Sequence, residues 1–117
     1  MDDAFDSDLL RGSLDLMVLS VLADGSKYGY ALQQSLREAS QGRIDPKAGT
    51  LYPLLHRLED DGLIRAKWDT STGRKRKWYE LTAAGRKRLN RQAHEWYAYA
   101  EILRRMLEPV VAPPQPA

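Results

Sequence analysis

Residues Thr70–Thr82 read TSTGRKRKWYELT. Four consecutive cations, Arg74, Lys75, Arg76 and Lys77, follow a flexible Thr-Ser-Thr-Gly run and lead directly into Trp78 and Tyr79. A block of like charge ordinarily opens a disordered tail. Here the residues that follow alternate instead, with Tyr79 and Leu81 on one face and Trp78 and Glu80 on the other, which is strand periodicity. Upstream, Ile64–Trp68 (IRAKW) alternates in the same way, and Asp69–Gly73 supplies turn chemistry between the two runs. The stretch predicts a β-hairpin with cations at its tip. Such a tip is tolerated if it is solvated when free and neutralised by a polyanion when bound.

Three helical patterns precede the hairpin. Residues 9–22 are apolar almost all the way round, which predicts a helix covered by more than one neighbour; Asp24-Gly25-Ser26 ends it. Tyr28–Ser40 is amphipathic, with Ala31, Leu32, Ser35, Leu36 and Ala39 on one face. Asp45-Pro46 reads as an N-cap acceptor followed by proline at the first helical position. The third helix then runs to about Asp61 and stops at Gly62. Its inward face is Leu51, Leu54, Leu55 and Leu58. Its outward face is Gly49, Pro53, His56, Arg57 and Asp60, flanked by Thr50 and Tyr52, with Lys47 near its start. Pro53 inside a helix forfeits the bond to residue 49, so a kink or a loose first turn is expected there.

Thr82 is a natural N-cap for a last helix, Ala83 to about Leu107, ended by Pro109. Leu89, Ala93, Trp96, Ala100, Leu103 and Leu107 fall at alternating spacings of four and three, a heptad seam. Such a helix is about 37 Å long at 1.5 Å per residue and outruns so small a core. With Leu10, Leu14 and Met17 of the first helix, the seam predicts a homodimer. The fold class expected is α+β, mainly α: a winged helix-turn-helix over residues 9–82 and a dimerisation helix over 83–108. An acidic disordered segment is expected over 1–8 and a Pro-rich disordered tail over 109–117.

The chain has 117 residues, one domain's worth, and a net charge of +2. That small net value hides an asymmetry, because residues 65–91 hold 10 of the 18 Lys and Arg. Clustering of this kind points to double-stranded DNA or another polyanion as partner. Cysteine is absent, which excludes disulfides and thiol catalysis and fits a reducing compartment. The acidic N-terminus lacks the apolar stretch of a signal peptide. No apolar run approaches the roughly 20 residues of a membrane span, so a cytoplasmic protein without a membrane partner is expected. The two histidines, His56 and His94, show no metal-ligand spacing, nucleophile motif or phosphate loop. No enzyme activity, metal or cofactor is expected.

The words LLRGSLDLMVLSVLADG, YGYAL, GTLYPLLHRLEDDGLI and RKWYELTAAG, in that order, resemble the PadR-like transcriptional regulators over roughly Leu9–Arg86. The resemblance implies a dimeric winged-helix DNA-binding protein, often a repressor, whose final helix serves dimerisation. It places Gly49, Thr50, Tyr52 and Pro53 in the recognition helix and Arg74–Lys77 in the wing. It sets Tyr28 near the DNA-facing end of the second helix. A single helix after the wing matches the short form of the family. Some members respond to small planar aromatic compounds, and Trp96, between Ala93 and Ala100, is the candidate effector residue. The alternative reading is a winged-helix protein–protein interaction module without DNA binding, its wing cations a solvated face.

Overall fold

A glycine cuts short the first apolar run. The computed structural model describes Leu10 and residues 12–115. Gly12 adopts φ +88°, a left-handed conformation that glycine reaches without a Cβ penalty. The Ser13 N–H and hydroxyl both donate to the Leu10 carbonyl at 3.1 Å. Helix α1 therefore spans only Leu14–Ala23, which corrects the expectation of a helix continuous from Leu9. The segment expected to be disordered over 1–8 lies outside the described residues.

Strand β1, Lys27–Tyr28, has no counterpart in the sequence pattern, and it leads straight into α2, Gly29–Ala39. Helix α3 spans Ala48–Asp60 and runs through Pro53 without ending there. Its start departs from the expected cap. Lys47 occupies the N-cap position and no side chain caps the helix. The reason is tertiary: Gln33 Nε2 on α2 donates to Asp45 Oδ1 at 3.3 Å and to the Pro46 carbonyl at 2.9 Å. Arg37 and Lys47 also pair with the Asp45 carboxylate, at 3.7 and 3.5 Å. The segment 45–46 is thus held against α2, and α3 begins two residues later than the sequence signal. The Thr50 and Leu51 N–H groups both donate to the Lys47 carbonyl at 2.9 Å, closing the first turn.

Strands β2, Ile64–Asp69, and β3, Arg76–Leu81, form the hairpin, and the antiparallel sheet has the order β1-β3-β2. In register, Tyr28 stands beside Trp78, Trp78 beside Lys67, and Arg76 beside Asp69. Tyr79 faces the core with Ile64, as the alternation requires. The core joins Val18, Leu19 and Leu22 of α1, Leu32 and Leu36 of α2, and Leu51, Leu54, Leu55 and Leu58 of α3. All four inward residues expected of the third helix are buried.

Helix α4, Ala83–Leu107, is 25 residues long and begins at the expected cap. The Gly85 N–H donates to Thr82 Oγ1 at 3.0 Å, and that hydroxyl donates to the Gly62 carbonyl at 2.7 Å. The helix meets the α3–β2 corner so closely that a Cβ at Gly85 would lie 2.0 Å from the Leu63 carbonyl oxygen. Past this joint α4 runs beside α1 and beyond the core, and the chain measures 57 × 35 × 23 Å. The helix ends ahead of Pro109, where the Val110 and Val111 N–H groups donate to the Leu107 carbonyl.

Candidate nucleic-acid interface

The α3 surface away from the leucines is exposed from Lys47 to Thr50 and at Tyr52, Pro53, His56 and Arg57. Its first turn contains no acidic residue. A helix N-terminus carries partial positive charge and N–H groups without intrahelical partners, and here no side chain occupies them. A Cβ at Gly49 would meet nothing within 4 Å, so the backbone there is open to close approach from outside. Tyr52 is folded back, because a Cβ at Gly29 would fall 2.8 Å from its hydroxyl; the ring leans on the start of α2. His56 faces Asp60 at 3.6 Å. Arg57 Nη2 contacts both carboxylate oxygens of Asp15 on α1, at 2.9 and 3.0 Å.

The hairpin resolves its charge problem by alternation. Lys75 and Lys77 lie on one side, with their ammonium groups 4.5 and 5.6 Å from the Trp68 ring centre. Lys77 also reaches Glu59 of α3 at 3.6 Å. Arg76 points to the opposite face, its guanidinium 4.2 Å from the centre of the Tyr28 ring. Cations over aromatic faces are attracted by the ring quadrupole, so these three do not merely repel one another. Arg74, at the exposed tip, has no side-chain partner among the described residues. The tip turn is closed by the Gly73 N–H donating to the Thr70 carbonyl at 3.1 Å, with Gly73 at φ +79°.

Asp69, which in the sequence pattern is turn chemistry alone, organises the base of this tip. Its Oδ1 accepts the Ser71 N–H at 2.9 Å and its Oδ2 accepts the Tyr28 hydroxyl. The Tyr28 hydrogen bond, then those of Ser71, hold the Asp69 carboxyl down at about 2. The same hydrogen bond to Asp69 raises the Tyr28 phenol, with burial adding to the rise. No sequence signal joins residues 41 positions apart.

A second surface lies between α1 and α4. An open groove of about 1060 Å³ is lined by Leu10, Leu16 and Met17 on one side and by Trp96, Leu103 and Leu107 on the other. Ala100 and Tyr99 also line it. Trp96 is 47% exposed and Leu103 42%, and apolar surface of this extent marks an interaction site. Three residues of the expected dimer set, Leu14, Met17 and Leu89, are partly buried against the core of their own chain, and Met17 lines the groove as well. Ala93 is half-buried one turn before Trp96. Leu16 of α1 also belongs to the groove, beyond the Leu10, Leu14 and Met17 expected there.

Residues 18–91 match the PadR-like family of transcriptional regulators, a span running from α1 through α3 and the wing into α4. The chain belongs to that family. A transcriptional regulator of Mycobacterium tuberculosis is 38% identical over 97 residues, which cover 83% of this chain and 85% of the relative. Among solved structures, a PadR family transcriptional regulator from Eggerthella lenta superposes with a TM-score of 0.77 at 38% identity, covering 86% of this chain and 87% of its own. A transcriptional regulator from Clostridium thermocellum superposes with a TM-score of 0.80 at 29% identity, covering 87% and 97%. The PadR-like chain is thus a transcriptional regulator with a winged-helix fold, four helices and a small three-stranded antiparallel sheet among its described residues. Among the same residues no helix is long and apolar enough to cross a membrane.

Proposed function

We propose that this PadR-like regulator binds double-stranded DNA as a homodimer and represses transcription from an inverted-repeat operator. The observation that carries the reading is a combination. The start of α3 is exposed, uncapped and free of acidic residues, and the same fold carries a wing whose tip cation, Arg74, has no partner within the described chain. The N-terminal half of α3 enters the major groove, where Thr50, Tyr52, His56 and Arg57 meet base edges or phosphates. Lys47 and the first-turn N–H groups hold a phosphate, and Gly49 allows the backbone to come close. The wing cations Arg74–Lys77 follow the backbone of the duplex.

The dimer reading rests on the α1–α4 groove. A second copy presenting its own Trp96, Leu103 and Leu107 would cover that surface and leave two reading heads related by a two-fold axis, which is why the operator is an inverted repeat. A small planar aromatic effector would enter beside Trp96 and favour whichever head spacing it binds better.

Selection of bound fragments from the host genome, followed by titration of the recovered duplex, tests the central part. Recovery of fragments sharing an inverted repeat, bound more weakly as salt rises, is the expected result. Absence of duplex binding at low micromolar protein in moderate salt would leave a protein-binding winged helix. Titrating planar aromatic compounds while following Trp fluorescence, in wild type and Trp96→Ala, tests the effector. Identical curves would reduce Trp96 to dimer packing.

A further inference from the structure

Tyr28 crosses the whole sheet. It lies on the edge strand β1, beside Trp78 on the central strand, yet its hydroxyl reaches Asp69 at the end of β2. On the way its ring passes between the Trp78 ring, edge-on at 4.5 Å, and the Arg76 guanidinium at 4.2 Å. Asp69 then continues the connection into the tip, since its other oxygen accepts the Ser71 N–H of the turn that leads to Arg74. A chain of contacts therefore runs from the residue that starts α2 to the cationic end of the wing.

The presence of a carboxylate here is at odds with electrostatics alone. Asp69 ends the strand that leads to a cationic tip, and near a duplex a negative charge costs binding. The neighbouring Arg76 offsets part of that charge. We infer that Asp69 and Tyr28 are positioning residues for DNA binding: they strap the wing to the helix-turn-helix body, and the gain in pre-organisation exceeds the electrostatic cost of the carboxylate. This rests on the DNA-binding reading above. It also changes the role of Tyr28, which acts through Asp69 and makes no contact with the duplex. Beyond the β1–β3 pairing the hairpin meets the body through the Lys77–Glu59 pair on one side and through Tyr28 on the other. With the Tyr28 side released the tip is freer to swing, and an element held in its binding geometry for a fraction of the time lowers apparent affinity by that fraction.

The test uses the full chain and three variants, Tyr28→Phe, Asp69→Ala and the double replacement. Tyr28→Phe keeps the ring under Arg76 and changes no charge; Asp69→Ala removes a negative charge. Two quantities are read. The first, without DNA, is the rate of trypsin cleavage within Arg74–Lys77, followed by mass spectrometry. The second is affinity for a duplex recovered from the genomic selection, as a function of salt. The strap predicts faster tip cleavage in all three variants. It also predicts affinity reduced on the order of threefold to tenfold, a salt slope that does not fall, and a double variant no worse than Asp69→Ala. Tighter binding by Asp69→Ala, or tip cleavage at the wild-type rate, overturns it. Additive losses in the double variant overturn it too, because they make Tyr28 a direct DNA contact. If the wild type binds no duplex the DNA-binding reading fails by itself, and the cleavage rates still decide whether the strap holds the wing.

Discussion

Arg57 on α3 and Asp15 on α1 are joined by a forked contact, one guanidinium nitrogen lying 2.9 Å from one carboxylate oxygen and 3.0 Å from the other. The pair ties the outward side of α3 to the helix that forms one wall of the α1–α4 groove. It is an exposed pair, with side chains 59% and 37% accessible, so its contribution to stability is small, about 0–1 kcal/mol. On the proposed DNA-binding reading its weight falls on the complex, because Arg57 cannot serve Asp15 and a phosphate equally. Asp15→Asn is therefore expected to leave the melting temperature nearly unchanged while tightening DNA binding. Arg57→Ala should weaken binding. Equal affinities for Asp15→Asn and wild type would show that Asp15 does not compete with the duplex for Arg57.

Two glycines are expected to respond in opposite senses to the same replacement. A Cβ at Gly49 meets nothing within 4 Å, and alanine is the better helix former by about 0.8–1.0 kcal/mol. Gly49→Ala should stabilise the chain by up to that amount yet weaken DNA binding, since in the proposed complex the added methyl would face the duplex. A Cβ at Gly85 meets the Leu63 carbonyl at 2.0 Å, and backbone cannot step aside as a side chain can. Gly85→Ala should destabilise by about 1–3 kcal/mol. Thermal melts of both variants, with anisotropy titrations for Gly49→Ala, check the pair. A stabilised Gly49→Ala chain with unchanged affinity would place residue 49 away from the DNA.

Leu103 lines the groove and is 42% exposed within its own chain. Leu103→Asp should thus leave the single chain folded but bring two charges into the centre of the proposed dimer, a loss of several kcal/mol of association. Sedimentation at micromolar concentration is expected to give a dimer for wild type and a monomer for the variant. A wild-type monomer would remove the groove as a dimer interface.

The strap at the wing has a definite pH window. The Asp69 carboxyl is held at about 2 against an ordinary 3.8, so its contribution is present above about pH 4 and is lost as pH falls toward 2. The Tyr28 phenol is raised above its ordinary 10.0. Its contribution is present below about pH 10 and lost as pH rises through the raised value. Wing order should be flat between these limits. Fluorescence of Trp78, isolated by replacing Trp68 and Trp96 with Phe, should change at both ends of the window in wild type. With Tyr28→Phe the alkaline change should vanish.

The helices and the hairpin are legible in the sequence because their signals are local. Leu51, Leu54, Leu55 and Leu58 repeat at helical spacing, Tyr79 and Leu81 alternate, and Thr82 is followed by the N–H it accepts. What is not legible depends on contacts between distant residues. Asp45 has the chemistry of an N-cap, yet Gln33 from α2 claims its carboxylate, and α3 starts later. Strand β1 is two residues long and exists only because β3 pairs with it. The use of Asp69 by Tyr28 and of Gly85 by Leu63 has no periodicity to betray it. Within the candidate interface, the outward face of α3 is readable from helical geometry. No local pattern signals that Tyr52 leans on α2, that Arg57 pairs with Asp15, or that Lys75, Arg76 and Lys77 find partners inside the chain.

The DNA-binding reading meets its most direct test in the salt dependence of duplex affinity, measured by anisotropy between about 50 mM and 200 mM salt, for wild type and Arg74→Ala. Arg74 is the wing cation without a partner among the described residues, so its removal should leave a phosphate unneutralised and disturb little else. The expected result is a steep fall of wild-type affinity with salt. In Arg74→Ala the slope should be lower by roughly 0.9 for each phosphate left unneutralised, roughly 1.8 for a dimer engaging two wings. An unchanged slope in the variant, or no duplex binding by wild type at any salt, would contradict it.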